Sequence, residues 1–429
     1  MWFSNRHARR YIARGGCGPV HGGTAARGET TVKTRRISGV LAAGLLVLAV
    51  SACGEDKKAD GGQDGKPGSV DTKPSRAVVK ITPKDGADDV VTHGVLKVTA
   101  EKGKLTSVTV KDDKGNKVAG KVSEDGGVWK PTGHLGSATE YSVDAVAEDS
   151  EGREAAEHAS FTTFVPENTF IGYFTPENGS TVGIGMPVSI RFNRGITDPA
   201  AVERAIEVEA SPSVPIEGHW FGNDRLDFRP EKYWAKGTKV TLKLNLDGVE
   251  GRPGVYGEQS KTVKFTVGRG QVSVVDVKTK KMTVKRDGKV IKTLPITAGA
   301  PATPTYNGQM VISEKHKMTR MDGATVGFGG EYDIEDVSHA MRLSTSGTFI
   351  HGNYWAGQGT FGSANVSHGC VGLFDARGGG VKSTPAAWFF DNSLLGDVVI
   401  VKNSQDKQIQ PDNGLNGWNM DWDEWKAPQ

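Results

Sequence analysis

The chain has 429 residues, with 53 Lys and Arg against 50 Asp and Glu, a net charge of +3, and a mean hydropathy of −0.40. So even a charge balance leaves no electrostatic footprint for nucleic acid, and the length accommodates about three domains rich in strands and turns. The three cysteines, Cys17, Cys53 and Cys370, lie far apart, which excludes a structural disulfide in the body of the chain.

Lys33, Arg35 and Arg36 precede an apolar run of about 14 residues at 37–50, the charged-then-apolar form of a secretory signal and short for a spanning helix. The run ends Val50-Ser51-Ala52-Cys53, which resembles the lipobox at which bacterial prolipoproteins are lipidated on cysteine. Residues 1–52 are therefore expected to be a signal, with initiation near Val32 giving it an ordinary length. Cys53 is expected to carry a lipid that holds the protein on the outer face of the cytoplasmic membrane; a transmembrane anchor is the alternative. Residues 53–76 are Gly, Asp, Lys, Pro and Ser with almost no apolar residue, a flexible tether reaching roughly 25 Å.

Two similar segments follow. Pro83-Lys84-Asp85-Gly86 and Pro176-Glu177-Asn178-Gly179 are turn sequences, each at the head of a segment of alternating hydrophobicity. The alternation recurs at residues 95–99 and 160–164 in the first and at 188–192 and 263–267 in the second, predicting two β-sandwiches over 77–165 and 166–268. Neither holds a cluster of catalytic residue types, so a rigid stalk is expected, with a glycan or partner binder as the alternative. Trp220-Phe221 and Tyr233-Trp234 are expected to serve core or inter-domain packing.

Residues 269–403 form a third, β-rich unit. Arg286-Asp287-Gly288 between alternating runs predicts a hairpin. Residues 308–351 include Met318, Met321, a Gly-rich run at 323–330 and Tyr332, a composition suited to a mobile lid; the glycine spacing excludes a phosphate loop. Phe349-Ile350-His351-Gly352-Asn353-Tyr354-Trp355 and Ser367-His368-Gly369-Cys370-Val371-Gly372-Leu373 then bring two histidines and a Gly-flanked cysteine close in sequence. His368 and Cys370, two apart, share a face if extended. The pattern suits a cysteine nucleophile with an imidazole base and backbone oxyanion donors. It also admits a zinc site on His351, His368 and Cys370, without common ligand spacing, or a buried cysteine between core histidines. Residues 385–390 predict a short helix and 397–401 a last strand. In the tail, 404–429, Trp418, Trp422 and Trp425 are spaced for one helical face.

His351-Gly352 followed by Ser367-His368-Gly369-Cys370 resembles the signature of L,D-transpeptidases of the YkuD type, which cross-link bacterial peptidoglycan. The similarity runs from about Gln271 to the C-terminus, and the sandwiches resemble the Ig-like domains of actinobacterial members. One departure is Gly372, where many members have Asn. The resemblance implies a mainly β chain of two Ig-like domains and a catalytic domain, without cofactor or metal. Cys370 would be the nucleophile, His351 the base held by a carbonyl near Gly352, and His368 would orient the nucleophile's turn. The amides near Gly369 and Cys370, with Tyr332, would bind the oxyanion. Tyr332 and Met321 match lid residues lining the donor pocket, and Asn353, Trp355 and Ser367 would shape it. It further implies donor and acceptor stem peptides as partners, covalent inhibition by carbapenems, a thiolate of depressed pKa, and a C-terminal piece bracing the catalytic domain on the second Ig-like domain.

Overall fold

In the computed structural model the described residues are 73–327 and 329–427. The signal, the lipidation expected at Cys53, most of the tether and Phe328 lie outside them.

The first sandwich packs a sheet of Val78–Thr82, Lys97–Glu101, Val128–Pro131 and Gly120–Val122 on one of Ala87–Val90, Glu154–Thr163, Glu140–Glu148 and Lys104–Asp112. Its inward residues alternate as the strand period requires: Tyr141, Val143, Ala145 and Ala147 meet Trp129 and Phe161 in one core. In the second, strands Gly172–Thr175, Val188–Phe192, Arg225–Arg229 and Glu217–Phe221 face Thr181–Val182, Ser260–Val267, Lys239–Asn245 and Ile206–Ser211. Between these sheets lie Phe170, Met186, Ile190, Leu226, Leu242 and Leu244.

Hydrogen bonds join the sandwiches: Thr92 Oγ1 donates to the Gly248 carbonyl at 2.7 Å, and Ser137 Oγ to Asp247 at 2.7 Å. Phe164 packs edge-on to Tyr256 with centroids 4.6 Å apart. These contacts hold the two sandwiches against each other.

The third unit starts with β1 (Gln271–Asp276), β2 (Lys281–Arg286) and β3 (Lys289–Pro295), then β4 (Gly308–Val311), β5 (Glu314–Asp322), β6 (Asp333–Arg342), β7 (Phe349–Asn353) and β8 (Val371–Phe374). Helix α1 (Pro385–Asp391) and β9 (Val398–Lys402) complete it. One sheet has the order β3-β2-β1-β9-β4 and the other β5-β6-β7-β8. Met282, Val284, Met310, Met341, Ile350, Val371, Leu373 and Phe389 fill the space between them. Asp287 and Gly288, at φ +47° and +79°, make the tight turn between β2 and β3. In the long section before His351, β5 and β6 pair as an antiparallel hairpin with a 3₁₀ turn, Gly323–Val326, at its tip.

The tail departs from the single helical face. Trp418 sits on a 3₁₀ turn, Gly417–Asn419, and only Trp422–Trp425 is helical, because Met420 and Asp421 are extended between them. The chain folds back so closely that a Cβ on Gly417 would lie 2.5 Å from the Trp425 ring. The tail covers the outer face of Arg225–Arg229, a strand buried at every position. Leu226 and Phe228 enter the sandwich core, while Arg225 donates to the Asp412 carbonyl and Arg229 to that of Met420, both at 2.9 Å. Trp220 and Trp234 are buried, and Tyr233 hydrogen-bonds Gln309 across to the third unit.

Candidate active site

Strands β7 and β8 run parallel, with His351 opposite Gly372 and Ile350 opposite Val371. Cys370 lies two residues before Gly372, so strand alternation puts it on the same side as His351. Gly369 has φ +109°, a conformation that admits glycine readily and lets the chain enter β8 with the thiol on this side. Ser367 tightens the turn: its Oγ donates to the Cys370 carbonyl at 2.5 Å and accepts from the Gly369 amide at 3.2 Å. That bond engages the Gly369 amide, whereas the Cys370 amide donates to no group among the described residues. Of the two amides expected to bind an oxyanion, the free one is that of Cys370.

His351 is buried, and its Nδ1 lies 2.9 Å from the Gly352 carbonyl. A carbonyl only accepts, so Nδ1 carries the hydrogen and Nε2 the lone pair. Burial holds the imidazole pKa below its ordinary value, against the pull of the Gly352 carbonyl. Trp355 stacks on the ring at 5.6 Å. Asn353, itself buried, accepts from the Ala356 amide at 2.9 Å and so shapes the turn that carries Trp355.

The thiol does not match the depressed pKa that the sequence suggests. Cys370 is half-buried and packs against the cluster of Val337, Ala340 and Phe349, as Met321 and Ile334 also do. Burial pushes its pKa up to about 11, against smaller opposing effects of the Phe349 backbone and Arg342. Its Sγ lies 3.5 Å from the Gly347 carbonyl, an acceptor for the S–H. Gly347, at φ +96°, is pressed against the hairpin tip: a Cβ there would lie 2.4 Å from Val326.

His368 reaches toward the tip of the β5–β6 hairpin, its Nε2 2.9 Å from Glu331 Oε2 and its ring 5.1 Å from that of Tyr332. Tyr332 is pushed up to about 12, mainly by burial and then by Cys370. The fold thus gathers Cys370, His351, His368, Gly369, Gly352, Tyr332, Met321, Asn353, Trp355 and Ser367 around β7 and β8. It adds Glu331 and Gly347, which no motif marks; Glu331 was detectable only as the acidic neighbour of Tyr332. Among the described residues no group of three or more His, Cys, Asp or Glu side chains is arranged to hold a metal ion. Gly372 also gains a reason. A Cβ there would lie 2.8 Å from the Thr297 methyl, because Thr297 and Gly372 exchange backbone hydrogen bonds of 3.0 and 2.8 Å.

Residues 87–250 match the bacterial Ig domain family and residues 270–401 the L,D-transpeptidase catalytic domain family. L,D-transpeptidase 2 of Mycobacterium tuberculosis is 33% identical over 421 residues, covering 95% of this chain and 98% of that protein. L,D-transpeptidase 5 of the same species is 32% identical over 352 residues, covering 80% and 75% respectively. The solved structure of LD transpeptidase LdtMt1 in complex with imipenem is 28% identical with a TM-score of 0.45, covering 56% of this chain and all 100% of that one. This chain belongs to the L,D-transpeptidase family, cysteine-dependent acyltransferases, and carries a bacterial Ig region ahead of its catalytic domain.

Proposed function

We propose that this enzyme forms 3→3 peptidoglycan cross-links through a thioester on Cys370. The observation that carries this is the His351 bond to the Gly352 carbonyl at 2.9 Å, which leaves Nε2 of a neutral ring as a base on the strand beside the thiol. Sγ attacks the carbonyl of the L-centre of the diamino acid at position three of a donor stem, and the thiol proton passes to Nε2. Collapse breaks the C–N bond to the terminal D-Ala, whose nitrogen takes that proton. An acceptor stem's amine then attacks the thioester, its proton passes to His351, and the thiol is restored. The Cys370 amide and the protonated Tyr332 hydroxyl are the oxyanion donors. Met321 and Trp355 line the stem's path, Ser367 and Gly369 set the nucleophile's turn, and His368 holds the lid through Glu331. No cofactor is required.

The lipid on Cys53 and the tether would hold the body above the outer face of the cytoplasmic membrane, within the wall. Cys53→Ala should yield unprocessed or shed protein; normal processing and membrane retention would refute the anchor.

The decisive experiment supplies a donor tetrapeptide with and without an acceptor stem. Wild type should release D-Ala and form the 3→3 dimer, and Cys370→Ala should do neither. A carbapenem, whose strained carbonyl mimics the scissile bond, should add once, on the peptide containing Cys370. Undiminished D-Ala release by Cys370→Ala would overturn the mechanism, and release without dimer would make the enzyme an L,D-carboxypeptidase.

A further inference from the structure

Behind β7, on the side away from Cys370, lies a buried carboxylate that the mechanism above does not use. Asp375 follows β8 and is 1% exposed. Its Oδ2 accepts from Ser338 Oγ at 2.6 Å and lies 2.7 Å from His339 Nδ1, both on β6. Its Oδ1 accepts from Thr384 Oγ1, at the N-cap of α1, at 2.8 Å and from the Ala376 amide at 2.9 Å. A buried carboxylate is tolerated only when so fully bonded, and a network of this kind fixes the backbone around it.

Two features show what it fixes. A Cβ on Gly352 would lie 2.3 Å from Asp375 Oδ2 and 2.7 Å from Ser338 Oγ, so the carboxylate occupies the space that a side chain at 352 would fill. The Gly352 carbonyl is the group that holds the His351 ring. His339, moreover, is a non-glycine residue at φ +52°, a conformation that persists only where the surroundings impose it. Its ring is held between Asp375 and Phe390, with centroids 5.2 Å apart at the latter.

We infer that Asp375, with Ser338, His339 and Thr384, is a positioning device for the base: it sets the Gly352 peptide so that its carbonyl selects the Nδ1–H tautomer of His351. Asp375 touches neither substrate nor reacting atoms and acts through one peptide unit. The inference rests on His351 being the base.

The test uses the full chain labelled with ¹⁵N-histidine, the His351 signals being assigned by their loss in His351→Gln. Wild type should show His351 neutral with Nδ1 protonated. Asp375→Asn should move a measurable share of the ring to the Nε2–H form and lower kcat for D-Ala release by about a hundredfold or less, with the donor KM within about twofold. Ser338→Ala, which keeps the carboxylate and deletes one small donor, should move both readouts the same way by a lesser amount, and it decides the matter should Asp375→Asn not fold. An unchanged tautomer and unchanged kcat per folded molecule, even with a lower unfolding temperature, would reduce the network to a structural brace and overturn the inference. Full turnover by His351→Gln would instead overturn the base assignment, while the tautomer shift in Ser338→Ala would still report on the carboxylate.

Discussion

Burial acts on Cys370 and His351 in opposite directions, raising the Cys370 pKa to about 11 and lowering that of His351. Both effects disfavour charge, which favours a neutral thiol and a neutral imidazole in the free enzyme. The sign is testable. Alkylation of Cys370 by iodoacetamide should keep rising with pH through 8 to 10 toward the thiol's value of about 11, as mapped by peptide mass spectrometry. A plateau already reached near neutrality would show a resting thiolate. At Gly372, installing an Asn drives a Cβ to 2.8 Å from Thr297. Gly372→Asn should therefore lower stability by about 1–3 kcal/mol in chemical denaturation.

At the scale of elements, the β5–β6 hairpin meets the Cys370 segment twice, through Glu331 to His368 and through Val326 against Gly347, whose carbonyl faces the thiol. Gly347→Ala would strain a residue at φ +96° and displace Val326. It should cost about 1 kcal/mol or more and change the rate of carbapenem addition to Cys370, measured by stopped-flow and thermal unfolding on the same preparation; an unchanged rate would detach the lid tip from the thiol. In the first sandwich, the Asp149 turn is held by its carboxylate, which accepts from the amides of Arg76, Glu151 and Arg153 at 2.9, 2.9 and 3.0 Å and lies well below the usual carboxylate range. A depressed pKa stabilises the fold above the unfolded value and is lost as pH falls toward the folded one. Asp149→Asn should thus lower the unfolding temperature at pH 7, with the gap to wild type closing from about pH 4 downward.

Across the whole molecule, the tail joins the catalytic unit to the second sandwich. The Arg229 guanidinium lies 5.0, 5.2 and 4.2 Å from the rings of Trp418, Trp422 and Trp425, and Trp418 Nε1 donates to the Gly185 carbonyl at 2.7 Å. Gly183 and Gly185 also donate to the carbonyls of Leu395 and Gly396 at 2.7 and 2.9 Å, an approach that side chains there would block. Arg229→Ala removes a partly desolvated cation and leaves carbonyls unpaired. It should cost about 2–4 kcal/mol and expose the tail to limited proteolysis, while a tail as resistant as wild type would show that the Trp residues hold without it.

By itself the sequence determined what depends on neighbours along the chain. Period-two alternation foretold the sandwich strands, Asp287-Gly288 the hairpin, and the two short motifs the family. The helix at residues 385–390 and the last strand also lie where periodicity puts them, because turn chemistry and alternation are local. Tertiary structure decided what depends on burial and on distant partners. The Trp spacing of 418, 422 and 425 suggests one helix, yet Met420 and Asp421 are extended because the rings converge on Arg229 from another domain. The thiol's pKa, the pairing of Glu331 with His368 and the Asp375 network under Gly352 likewise have no sequence signature. Each joins residues tens of positions apart, and the low dielectric that gives those contacts their strength exists only once the sheets have closed over them.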